Sequence, residues 1–137
     1  METVMAKIPK ISEAEWEVMK VLWKNSPMTA NEIVDELKGK TRWKRETIRT
    51  LINRLVQKKA LGFQKKGRQY HYFPLLTEAE GIKAEAESFV RRIGGGSIEP
   101  MLAAFVEEKQ LSAEKIARLK SILNKAEAAG ENKKTNK

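Results

Sequence analysis

The sequence has no cysteine and a single histidine, His71. The first absence excludes a disulfide framework, a thiolate metal site and a thiol nucleophile. The second excludes a two-histidine metal site and a histidine-paired acid/base dyad. Flanked by Tyr70 and Tyr72 in a strand-like run, His71 reads as a structural or surface residue of a hairpin. Long apolar runs are missing too. No segment approaches the roughly 20 apolar residues of a membrane span, and the first ten residues lack the apolar core of a signal peptide. The chain is therefore expected in the cytoplasm, without direct membrane insertion. Nothing assembles a nucleophile, a metal or an acid/base pair, so neither an enzyme nor a cofactor is expected.

Charge is abundant and unevenly placed. Of 27 basic residues, twelve lie between Lys38 and Arg68, where Glu46 is the only acid; this stretch carries +11 and the rest of the chain −2. A cationic surface concentrated in this way suits a polyanion, and nucleic acid is the first partner to consider. At 137 residues the chain is long enough for one compact core, or for a small head with a helical appendage.

The first half reads helix, helix, helix, hairpin. Ser12 with Glu15, and Thr29 with Glu32, have the spacing of capping boxes, and apolar residues at helical intervals follow each. A third helix, Lys44 to Lys59, carries Ile48, Leu51, Ile52, Leu55 and Val56 as one buried stripe. At about 100° per residue, Thr47, Thr50 and Arg54 share a sector next to Gln57, with Arg45 and Arg49 on the opposite flank. Two strands, Leu61 to Gln64 and Arg68 to Phe73, then flank a turn at Lys65-Lys66-Gly67. This order is that of a winged helix-turn-helix, whose third helix enters the major groove. The candidate contacts are Lys44, Arg45, Thr47, Arg49, Thr50 and Arg54 on the helix, and Lys65, Lys66 and Arg68 on the wing. Arg54 has an alternative role, pairing with an acid of the first two helices. Trp16, Trp23 and Trp43 read as packing residues.

From Thr77 onward acids and bases nearly balance. Thr77 with Glu80 forms a third capping box, and the fourth helix ends at Gly94-Gly95-Gly96. Ser97 opens a fifth helix and Ser112 a sixth. Their stripes, with Phe89 and Ile93 on the fourth helix, Ile98, Met101, Leu102 and Phe105 on the fifth, and Leu119 and Ile122 on the sixth, exceed what three helices bury among themselves. Homodimerisation is the economical solution. The expectation is a mainly α protein: a winged helix-turn-helix head of three helices plus a β-hairpin wing (1–76), a C-terminal helical dimerisation region (77–129) and a disordered tail (130–137).

The run Ile11 to Met19, the segment Trp43 to Leu55 and the Phe105-Val106-Glu107 helix before Leu111-Ser112 resemble the penicillinase repressor family, most closely its BlaI/MecI branch. The resemblance spans roughly residues 7 to 125 and implies a dimeric winged-helix repressor of a beta-lactamase or related resistance operon. It implies an inverted-repeat operator in double-stranded DNA, with Thr47, Thr50 and Arg54 facing the major groove and the dimer built from the helices after Thr77. It further implies inactivation by proteolysis, triggered by a membrane beta-lactam sensor protease. The family's cut falls at an Asn-Phe bond in the fifth helix, which matches Ala104-Phe105 here: the Phe is kept and the Asn is not. Where the family often has Ser-Pro-Lys before the helix, this chain has Lys44-Arg45-Glu46. The cysteine cluster of the copper-responsive CopY branch is absent. The alternatives are a general nucleic-acid-binding protein, a winged-helix adaptor for protein partners and a repressor of an unrelated operon. The mixed polar face of the third helix favours sequence reading, since a non-specific binder needs only Lys and Arg.

Overall fold

The computed structural model describes residues 8–94, 96, 98–109 and 111–135. Helix α1 (Glu13–Lys24) begins where the sequence places a capping box. The Glu15 N–H donates to Ser12 Oγ at 3.1 Å and the Ser12 N–H to Glu15 Oε1 at 2.9 Å. After a short strand β1 (Met28–Thr29), the reciprocal bonds of Thr29 and Glu32, 2.8 and 3.2 Å, start α2 (Ala30–Lys38). Helix α3 (Arg45–Gln57) stops two residues short of the expected end. There the Ala60 N–H turns back to the Leu55 carbonyl at 2.9 Å, with Lys59 in the left-handed region at φ 67°.

Strands β2 (Leu61–Lys66) and β3 (Gln69–Pro74) form the wing around Gly67, whose φ of 65° suits a residue without a side chain. The hairpin was expected alone, but β1 pairs antiparallel with β3, Met28 opposite Tyr72 and Thr29 opposite His71, giving a three-stranded sheet in the order β1-β3-β2. Two residues are too few to show strand alternation, so sequence pattern misses β1.

Val18, Met19, Leu22, Ile33, Leu37, Ile48, Ile52, Leu55 and Leu61 are buried in one cluster from all three helices and the wing. Truncating one such side chain costs about 2–5 kcal/mol, so the inward stripe of α3 fixes which of its faces points out. Trp16, Trp23 and Trp43 are partly buried against this core, Trp16 and Trp23 edge to face at 5.3 Å. Trp23 Nε1 donates to the Leu76 carbonyl at 2.9 Å, and Gly81 lies so close that a Cβ there would meet Trp23 Cη2 at 2.9 Å. These contacts bind the start of α4 (Glu78–Ile93), opened by Thr77 and Glu80, to the head. The first compact unit consequently runs to Phe89, beyond the boundary expected at Leu76.

The second unit begins at Val90 and holds α5 (Ile98–Lys109) and α6 (Ala113–Thr135). Ser112 Oγ accepts the Lys115 N–H at 3.1 Å at the start of α6, whereas the cap expected at Ser97 lies outside the described residues. Helix α6 continues past Gly130, where a disordered tail was expected; a lone glycine costs a helix only about 1 kcal/mol and no proline follows. Residues 136 and 137 lie outside the described residues. From Val90 on, no described residue is fully buried. Among the described residues, no helix is long and apolar enough to cross a membrane.

Candidate nucleic-acid interface

The core determines the display on α3. With Ile48, Leu51, Ile52 and Leu55 turned inward, Glu46, Thr47, Arg49, Thr50, Asn53, Arg54 and Gln57 are all exposed. Asn53 lies near the middle of the outward face, between the flank of Arg45 and Arg49 and that of Thr47 and Arg54. Thr50 Oγ1 donates to the Glu46 carbonyl at 2.9 Å, which holds the hydroxyl against the helix with its lone pairs outward. No acid pairs with Arg54 among the described residues. The alternative role for Arg54 thus has no support in the fold.

A cleft of about 390 Å³ opens between the start of α2, helix α3 and the wing. Arg49 and Asn53 line it from α3, Arg68, Gln69, Tyr70 and Tyr72 from the wing, and Thr29, Ala30 and Asn31 from the start of α2. Two guanidiniums from different elements therefore converge on one concavity. Burial raises the pKa of Tyr72, and the Arg49 charge partly opposes that rise. Lys44 is the N-cap of α3 and makes no side-chain cap bond, while Arg45 Nη1 donates to Asn31 Oδ1, tying α3 to α2. On the wing, Lys65 Nζ lies 5.8 Å from the centre of the Tyr70 ring, and Phe63 packs edge-on against Tyr70 at 5.1 Å.

Asn53, Asn31, Gln69 and Tyr70 belong to this surface but were absent from the sequence-based candidates. The helical wheel contains a signal for Asn53; nothing in the sequence brings Asn31 beside Arg45. Of the twelve bases between Lys38 and Arg68, Lys58 is matched by an acid within the fold. Its Nζ donates to Glu15 Oε1 and, at 2.8 Å, to the Lys10 carbonyl.

Burial acts to raise the pKa of Glu15, but the Lys58 hydrogen bond, the Ser12 backbone N–H and the Lys58 charge outweigh it and hold the carboxyl below its usual value. A depressed folded-state pKa contributes stability above the unfolded value, and that contribution is lost as pH falls through the folded value. Lys58→Met strands a carboxylate whose side chain is 2% exposed. Because Lys58 itself is about one-third exposed, the expected loss at neutral pH is discounted to about 2 kcal/mol. Urea denaturation at pH 7 and pH 4 checks this: the gap from the parent should narrow at the lower pH, where the stranded carboxyl takes up a proton.

A three-helix head with a β-wing and a polar, cation-flanked third helix defines the class: a winged helix-turn-helix of the kind found in repressor DNA-binding domains. The penicillinase repressor family model matches residues 11–125. The penicillinase repressor of Bacillus licheniformis is 43% identical over 119 residues, covering 87% of this chain and 93% of the relative. The methicillin resistance regulatory protein MecI of Staphylococcus aureus is 34% identical over 119 residues, covering 87% and 97%. The solution structure of the DNA binding domain of the repressor BlaI superposes with a TM-score of 0.50 at 46% identity, covering 56% of this chain and 93% of that domain. The chain belongs to the penicillinase repressor family, whose members are transcriptional repressors rather than enzymes.

Proposed function

We propose that this protein is a dimeric, sequence-specific cytoplasmic repressor that binds an inverted-repeat operator of a beta-lactamase or other penicillin-resistance operon. The observation that carries this reading is an exposed mixed polar face on α3, Thr47, Thr50, Asn53, Arg54 and Gln57, whose Asn53 shares a cleft with Arg49 and with Arg68 of the wing. Phosphate contacts position a protein on the duplex and base contacts specify the sequence; this surface offers groups for both. The relatives' names, a penicillinase repressor and a methicillin resistance regulator, support the choice of operon.

Dimerisation is assigned to the helices of the second unit and the end of α4. Ile98, Leu102 and Phe105 on α5 and Ile122 on α6 are exposed in the single chain. Met101 and Leu119 are half-buried, and α4 carries Phe89 and Ile93 as further exposed apolar residues. Release is assigned to a cut at Ala104-Phe105 by a membrane beta-lactam sensor protease or a protease that it activates. Both residues are exposed on α5.

Arg54→Ala tests the base-reading role. Binding to the preferred duplex should weaken by about 1–3 kcal/mol while scrambled competitor loses less. Lys65→Ala, at the wing, should weaken all duplexes alike. Parallel losses for operator and competitor in the Arg54 variant would refute base reading by that residue.

A further inference from the structure

Glu46 is the sole acid among the twelve bases between Lys38 and Arg68. It is exposed on the first turn of α3. At about 100° per residue it shares the outward sector with Thr50, Asn53 and Gln57, opposite the buried stripe. Arg42, Lys44, Arg45 and Arg49 are close in sequence, yet none of the ion pairs among the described residues includes Glu46. Arg45 bonds instead to Asn31. The Thr50 hydroxyl takes the Glu46 backbone carbonyl, leaving the carboxylate out of that bond.

An acid in the first turn complements the positive end of the helix, but Arg45 and Thr47 occupy first-turn positions equally suited to that purpose. Position 46 is the one turned furthest outward. Facing a duplex, a carboxylate is repelled by phosphates and offers only acceptors. In the major groove it is rejected by guanine O6 and N7 and by thymine O4. Adenine presents its N6 donor beside the N7 acceptor, whereas cytosine presents the N4 amino group without a neighbouring acceptor on the same base. Resting on the operator-binding reading above, we infer that Glu46 is a specificity-determining residue whose carboxylate accepts a hydrogen bond from the N4 amino group of a cytosine in the major groove. Its negative charge lowers affinity for every other sequence, so it gains discrimination at the expense of non-specific binding.

The test compares the intact chain with Glu46→Gln and Glu46→Ala. Each is used to select from a randomised duplex pool and is then titrated against the parent's preferred duplex, its single-base-pair variants and a scrambled duplex. The parent should require cytosine at one position of each half-site. Glu46→Gln should move the preference there to adenine, because an amide both donates to N7 and accepts from N6. Glu46→Ala should lose the preference at that position alone, lowering the preferred-to-scrambled ratio by roughly tenfold or more while affinity for the scrambled duplex rises. An unchanged consensus in both variants, with affinity for all duplexes rising alike, would overturn the inference and leave Glu46 as a moderator of charge. A parent chain that binds all duplexes equally would instead sink the operator-binding reading, and this inference with it.

Discussion

A chain truncated after Ala104 is expected to keep a folded head yet bind a full operator little better than a single half-site. In the proposed dimer the second head would bind intramolecularly, which raises affinity by about 10² to 10⁴ without any new contact. Cutting at Ala104-Phe105 separates Ile98, Met101 and Leu102 from Phe105 and Val106 on α5 and detaches α6. The apolar surface assigned to the dimer is then divided and the avidity disappears. The DNA face need not change, since the buried core and all three tryptophans lie in the first unit. Titrations of full and half operators with truncated and intact chains, with tryptophan fluorescence to monitor folding, check this. Equal affinity of the two chains for the full operator would rule out cleavage as the switch.

Raising salt from 50 to 200 mM is expected to weaken operator binding on the order of a thousandfold, if six or more phosphates are neutralised per complex. Lys44, Arg49, Lys65, Lys66 and Arg68 are exposed cations for this purpose. The slope of log affinity against log salt counts the neutralised phosphates, and Lys65→Ala should reduce it by about one per head engaged. A flat salt response would point to a partner other than DNA.

Much of the head was legible in the sequence because its signals are local. Three capping boxes mark the starts of α1, α2 and α4, and the stripe Ile48, Leu51, Ile52 and Leu55 defines both the core and the outward face of α3. What the sequence hid depends on contacts across the fold. Strand β1 exists because β3 pairs with it. Lys58 pairs with Glu15, 43 residues away, so its charge is matched by a carboxylate instead of adding to the unpaired basic surface. The Arg45–Asn31 bond and the cleft shared by Arg49 and Arg68 need two elements in their folded places. The start of α4 joins the head because a glycine at 81 lets the helix reach Trp23, whereas composition had marked the boundary at Thr77.

The most direct test of the central claim is selection of binding sites from a randomised duplex pool by the intact chain. Two heads reading through α3 in a two-fold dimer should recover two copies of one short half-site in inverted orientation, their centres separated by about ten base pairs or a multiple of that. Arg54→Ala should blur one position in each copy. Recovery of no consensus, or of isolated or directly repeated half-sites, would contradict a dimeric repressor that reads its operator through the third helix.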